Sequence, residues 1–145
     1  MRIVIQRSLK SRVLVNQEVV GEIPKGLVLL VCMEEGDGEE TLEKAAQKIL
    51  KLRCFEDPQT SKMSFDLKQS GGEILAISQF TLSWKGKGGN RPGFDLSMKP
   101  DQANEMFKKF CSLLGTEVNV ETGRFGEYMQ VEITNDGPVT FCLDF

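Results

Sequence analysis

The sequence predicts an α+β fold, with a mostly antiparallel, barrel-like β-sheet core and two main helices. Three observations support this. Strand-like segments crowd both ends of the chain. Two stretches between them repeat apolar residues at helical spacing. No internal repeat, linker or low-complexity block separates these parts. The 145 residues are 40% apolar and 27% charged, enough for one core, and the expectation is one domain over residues 1–145.

Residues 1–8 and 11–16 read as strands. Asn16-Gln17 separates Arg12–Val15 from Glu18–Ile23, which suggests a hairpin. Gly26 to Met33 is a continuous apolar run, expected as a central strand buried on both faces. Asp37 is expected to open the first helix, with Glu40 as its capping-box partner, and Leu42, Ala45, Ala46, Ile49 and Leu50 form its apolar face. Residues 57–70 read as irregular, and residues 73–80 as another strand. Pro100 and Asp101 start the second helix, Ala103, Met106, Phe107, Phe110 and Leu114 form its buried stripe, and Gly115 stops it. Strands at about 117–122, 128–134 and 139–143 close the chain.

The run from Gly26 to Met33 is too short to cross a bilayer, and no secretion signal precedes the first strand, so the cytoplasm is the simplest location. Cys32, Cys54, Cys111 and Cys142 form no CxxC pair. They read as buried reduced thiols rather than a disulfide framework or zinc site. A net charge of −3 argues against a general nucleic-acid binder, though a small basic mouth remains open. Lys85, Lys87 and Arg91 share one glycine-rich stretch, which reads either as a solvated loop or as a clamp on phosphates.

The chain has no histidine. No Ser-His-Asp or Cys-His relay can be built, and the commonest zinc ligand is missing. Any catalysis must come from backbone groups, hydroxyls, carboxylates or the substrate. Two segments suit such chemistry. Ser78-Gln79-Phe80-Thr81-Leu82 ends a strand, where unpaired N–H groups could form an oxyanion hole; the plainer reading is an ordinary strand end. Asn135-Asp136-Gly137-Pro138-Val139-Thr140 reads as a hairpin turn. Its Gly-Pro bond could also be cis and act as a rigid backbone wall that discriminates chirality.

These two segments resemble the signature motifs of the D-aminoacyl-tRNA deacylase (D-Tyr-tRNA deacylase) family. Met1–Arg7, Val19–Ile23 with Gly26-Leu27, Leu52-Arg53 with Phe55–Asp57, and Thr122–Gly126 are similar to family segments in the same order. The resemblance implies hydrolysis of the ester of D-aminoacyl-tRNA, and of glycine mischarged on alanine tRNA. It implies a homodimer with active sites at the interface, and no metal or cofactor. Ser78, Gln79, Phe80 and Thr81 would line the ester pocket, with the Phe80 and Thr81 N–H groups as the oxyanion hole. Gly137-Pro138 would be a cis filter reaching into the partner's pocket, and Arg7 would brace it. Phe125 and Met129 would border the terminal adenosine, and Lys85, Lys87 and Arg91 could touch tRNA.

The resemblance accounts for the missing histidine. An aminoacyl ester is already activated, and the adjacent 2′-hydroxyl of its ribose can help to position or activate water. Thr81 as nucleophile is an older possibility that lacks the usual base. A wall that rejects an L side chain has nothing to reject in glycine, so glycyl-tRNA is an expected substrate. A sister group of tRNA deacylases has alanine at the position of Phe80 and a trans Gly-Pro, so Phe80 points to the D-specific branch. The sequence departs from the family at Gly93 after Arg91-Pro92, in the glycines of 85–90, and in the Leu143-Asp144-Phe145 ending. Two other readings are a non-catalytic nucleic-acid-binding module and a structural dimer whose motifs are only turns.

Overall fold

The computed structural model describes residues 1–87 and 89–145. Its main sheet is built on β1 (Arg2–Val15), β2 (Glu18–Ile23), β3 (Gly26–Cys32), β6 (Glu73–Ser78), β7 (Val120–Thr122) and β8 (Gln130–Asp144). A small ribbon pairs β4 (Phe55–Glu56) with β5 (Met63–Phe65), and the helices are α1 (Glu39–Leu50) and α2 (Pro100–Leu114). The strand order is β2-β1-β3-β6-β7, with β8 on the other side of β1. Pairing is antiparallel around β1 but parallel for β3–β6 and β6–β7, so the sheet is mixed rather than largely antiparallel throughout. The reason lies in α1 and α2, which carry the chain back across the sheet between parallel neighbours.

Alternation along β3 and β6 explains their double burial. Leu27, Leu29, Val31, Ile74 and Ala76 join the cluster beneath the helices. Val28, Leu75 and Ile77 join a second cluster with Val13 and Ile23. Both helices turn one stripe to the first cluster: Leu42, Ala45, Ala46 and Ile49 from α1, and Ala103, Phe107, Phe110 and Leu114 from α2. The second face closes because β2 curls over β6 and β7, giving a nearly barrel-shaped sheet. Gly21 permits that approach, since a Cβ there would lie 2.7 Å from the Thr122 carbonyl oxygen.

Several expectations need correction. The two strands at 1–8 and 11–16 are one strand, because a bulge at the exposed Leu9 and Lys10 absorbs the irregularity. The Asn16-Gln17 turn joins β1 and β2 as expected, with both residues at positive φ. Helix α1 is capped one residue later than expected, at Gly38. The Asp37 carboxylate is already taken by the Met1 ammonium at 2.7 Å and by the Glu34 N–H at 2.7 Å. The expected irregular stretch 57–70 contains β5, whose pairing with β4 is a tertiary event. The strand expected to run to Phe80 ends at Ser78. Of residues 117–122, only Val120–Thr122 form strand.

The strands expected at 128–134 and 139–143 are also one element, β8. Asn135–Pro138 is therefore not a hairpin turn, and both flanks of the motif pair with the same strand, β1. Among the cysteines, Cys32 and Cys54 are buried and Cys111 is half-buried, but Cys142 is exposed because its position in β8 faces outward. All four are free thiols. Burial pushes the Cys54 thiol to about 11 and the Cys111 thiol to about 12.

Candidate active site

Strand β6 ends where the Gln79 N–H donates to the Val31 carbonyl at 2.7 Å. The next residues, Phe80–Ser83, wind into one turn of 3-10 helix. Inside it, Leu82 N–H donates to Gln79 O and Trp84 N–H to Thr81 O, both at 3.2 Å. A helix start leaves its first N–H groups without partners in the helix, and here those groups belong to Phe80 and Thr81. The Gln79 side-chain amide donates to the Thr81 hydroxyl. The turn thus offers adjacent backbone donors, with a hydroxyl and an amide beside them.

A cavity of about 460 Å³ adjoins the turn. Ser78, Gln79 and Phe80 contribute to its lining, as do Phe107 from α2 and Phe125. The loop after the turn contributes Phe94 and Met98. It is held by Glu35 N–H to Leu96 O at 2.9 Å and Met98 N–H to Met33 O at 3.0 Å. Phe80 stacks edge-on against Phe94 at 5.0 Å between centroids, and Phe107 lies 6.4 Å from Phe125. Aromatic and thioether side chains form much of the wall, with polar groups at Ser78 and Gln79 beside the turn and at Ser97 and Lys99 on the loop before α2. Such a pocket suits a flat, partly apolar group whose reactive end meets the donors.

The second motif forms a different kind of structure. Gln6 pairs with Thr140 and Ser8 with Asn135, so residues 136–139 bulge out opposite the single residue Arg7. The Arg7 guanidinium donates through Nε to the Asp136 carbonyl at 3.2 Å and pairs with the Asp136 carboxylate at 3.1 Å. Its Nη1 donates to the Cys54 carbonyl at 2.7 Å, tying the bulge to the start of β4. Gly137 has φ +121, the Gly137–Pro138 peptide is cis, and both residues are exposed. A Cβ on Gly137 would lie 2.8 Å from Val139 Cγ2 and 3.1 Å from Arg7 Nη2.

One chain does not bring the two motifs together. Arg7 pairs with Leu27, at the opposite end of β3 from Val31, the partner of Ser78. Arg2, beside the turn, and Arg7, beside the bulge, are roughly 17 Å apart along β1 at about 3.4 Å per residue. Phe125 is at the cavity, whereas Met129 packs with the second cluster against Gly123. Lys85, Lys87 and Arg91 are exposed on the loop beyond the turn, and Gly88 of that stretch lies outside the described residues. Sequence reasoning missed Phe94, Met98 and Phe107 as lining residues. Their sequence signal was apolar periodicity or none, which marks core and pocket alike.

Comparison with known proteins connects these features. The profile described as D-Tyr-tRNA(Tyr) deacylase matches residues 4–144. A protein named D-aminoacyl-tRNA deacylase from Lactobacillus delbrueckii subsp. bulgaricus is 49% identical over 145 residues, covering 99% of both chains. One of the same name from Bacillus licheniformis is 46% identical, covering 99% of this chain and 98% of its own. A solved structure titled c-Myc DNA Unwinding Element Binding Protein superposes with a TM-score of 0.95 at 38% identity, covering 100% of this chain and 99% of that one. A probable eukaryotic D-amino acid tRNA deacylase shares the fold with a TM-score of 0.84 at 19% identity, covering 99% and 98%. With a profile match over nearly its whole length and relatives at almost half identity, the chain belongs to the D-Tyr-tRNA(Tyr) deacylase family.

Proposed function

We propose that this chain is a D-aminoacyl-tRNA deacylase that hydrolyses the ester between a D-amino acid and the terminal ribose of tRNA. Family membership supports the reaction. The observation that carries the site assignment is the start of the 3-10 turn, where the Phe80 and Thr81 N–H groups precede the first bond of the turn beside a 460 Å³ cavity. In this reading the ester carbonyl lies against those two donors, which stabilise the oxyanion as water attacks. The ribose 2′-hydroxyl assists, and Ser78 and Gln79 orient the reacting end. Phe125 borders the adenosine, with Met129 further out behind Gly123. Thr81 is not the nucleophile: its hydroxyl accepts from an amide, which takes no proton from it.

Selection against L substrates is assigned to the Gly137-Pro138 bulge of a second copy. The separation of the two motifs along β1 supports a homodimer, because one chain cannot place its own bulge in its own cavity. Exclusion by such a wall leaves glycyl-tRNA as a substrate. Lys85, Lys87 and Arg91 extend from the turn's loop as tRNA contacts, the one 145-residue domain acts without a cofactor, and its site of action is the cytoplasm. The test is deacylation of matched D-Tyr-, L-Tyr- and glycyl-tRNA by the purified protein. Release of D-tyrosine and glycine but not L-tyrosine is expected; intact D-Tyr-tRNA at high protein concentration would end this reading.

The solved relative titled as a DNA-unwinding-element binding protein favours a second reading, a nucleic-acid-binding module. Salt-dependent binding of uncharged DNA without any ester hydrolysis would select it.

A further inference from the structure

The carbonyl end of the catalytic turn is held from outside by the second residue of the chain. Arg2 Nη1 donates to the Leu82 carbonyl at 2.8 Å, and Nε donates to Asp144 Oδ1 at 2.6 Å. The arginine therefore bridges the end of β8 and the Leu82 carbonyl of the 3-10 turn. We propose that Arg2 is a positioning residue for deacylation, aiming the backbone donors of Phe80 and Thr81 by fixing the turn that carries them. This rests on the deacylase reading above.

The geometry follows from the planarity of the peptide. In a trans peptide, the N–H of each residue points opposite to the preceding carbonyl. Fixing a carbonyl therefore fixes the donor after it. The Gln79 carbonyl accepts from Leu82 N–H at 3.2 Å, which sets the direction of the Phe80 N–H. The Phe80 carbonyl lies 3.5 Å from Cys32 Sγ, which sets the direction of the Thr81 N–H. That thiol also lies 3.5 Å from the Met33 carbonyl, so its one proton is shared and the hold is weak. Burial first, then the Glu34 carboxylate, push the Cys32 thiol up, which keeps it protonated as a donor.

The strong hold is the charged one. Leu82 O is the third of the turn's four carbonyls, near its C-terminal end, where a guanidinium also suits the negative end of the helix dipole. Fixing it sets the direction of the Ser83 N–H that follows it. Arg2 thus ties Asp144 at the end of β8 to the Leu82–Ser83 peptide, while Cys32 holds the Phe80–Thr81 peptide of the same turn. Three of the turn's four carbonyls are engaged: Phe80 by Cys32, Thr81 by Trp84 N–H and Leu82 by Arg2. The two N–H groups at its start face the other way, where the ester is placed.

The test measures single-turnover deacylation of D-Tyr-tRNA together with the amide resonances of Thr81 and Ser83 in labelled full-length protein. Arg2→Ala is expected to slow the saturated rate by about 10- to 100-fold, as misplaced catalytic groups do, and to leave the half-saturating enzyme concentration unchanged. The Thr81 and Ser83 amides shift, and Arg2→Lys restores part of both rate and shift. If Arg2→Ala does not fold, Asp144→Asn carries the same test, because it frees Arg2 from its anchor. A folded variant with unmoved amides and a wild-type rate overturns the proposal. A rate loss that appears only as weaker saturation, without a Thr81 shift, overturns it too. Wild-type protein that leaves D-Tyr-tRNA intact would sink the deacylase reading alone, since the amide shifts still decide whether Arg2 sets the turn.

Discussion

Arg2 and Arg7 leave the same strand on opposite faces, and each holds a main-chain carbonyl of one sequence motif. The segments they hold are built differently. The turn at 80–83 has internal hydrogen bonds, a thiol behind it and a guanidinium at its end, so its geometry has several supports. The bulge at 136–139 has one charged clamp, a glycine at φ +121 and exposed residues at its tip. A segment that must stabilise developing charge needs redundant fixing, because small misalignment costs rate. A segment that excludes a side chain, the role proposed for the bulge, needs only to be stiff and correctly placed, and here it lies toward the other end of β3 from its own cavity.

This contrast predicts a graded set of effects. Thr81→Pro removes one donor of the turn, and loss of an oxyanion donor should slow hydrolysis of D-Tyr- and glycyl-tRNA alike by about 10²–10³-fold. A folded Thr81→Pro protein with near-normal rates would refute the role of that N–H. Gly137→Ala puts a Cβ 2.8 Å from Val139 Cγ2 at a backbone angle that disfavours any side chain. D-Tyr-tRNA hydrolysis should fall by about 100-fold, because the bulge must move. An unchanged rate would show that the bulge is not part of a site.

Arg7→Ala should act more on selectivity than on rate. It leaves the Asp136 carbonyl and carboxylate and the Cys54 carbonyl without their donor, at a cost of about 1–3 kcal/mol in thermal or urea unfolding. The loosened bulge should raise hydrolysis of L-Tyr-tRNA relative to D-Tyr-tRNA. If that ratio is unchanged in a folded variant, the bulge is not the filter. Thr81→Ser keeps the backbone donor and a hydroxyl, so its rate should stay near wild type.

The smallest expected effect lies beneath the Arg7 clamp. Burial raises the folded Cys54 thiol to about 11, whereas an unfolded thiol titrates near ~8.5. The unfolded chain then releases this proton first as pH rises. Stability from Cys54 is intact below about pH 8.5 and declines toward pH 11. Urea unfolding of Cys54→Ala beside wild type, at pH 8 and pH 10, should show the gap between them narrowing at the higher pH. A constant gap would contradict the burial argument.

Some of this was legible from local patterns. A continuous apolar run placed β3, period 3.6 placed both helices, and Pro100 marked the start of α2. The absence of histidine and the two motifs pointed to backbone chemistry without any structure. Joins between elements were less legible. Nothing local says that 130–144 is one strand, because Asn-Asp-Gly-Pro is a turn signal unless a long partner such as β1 runs past both flanks. Asp37 looked like a cap until the Met1 ammonium, brought in by β1, took its carboxylate.

The sequence by itself determined which residues are apolar and at what period, and which two motifs stand out, because these properties belong to neighbours along the chain. Tertiary structure alone decided that Arg2 reaches the turn, that Arg7 clamps the bulge, and that the two motifs lie toward opposite ends of β3. Those are contacts between residues far apart in sequence, fixed by strand register. No local pattern encodes register until the core has chosen it.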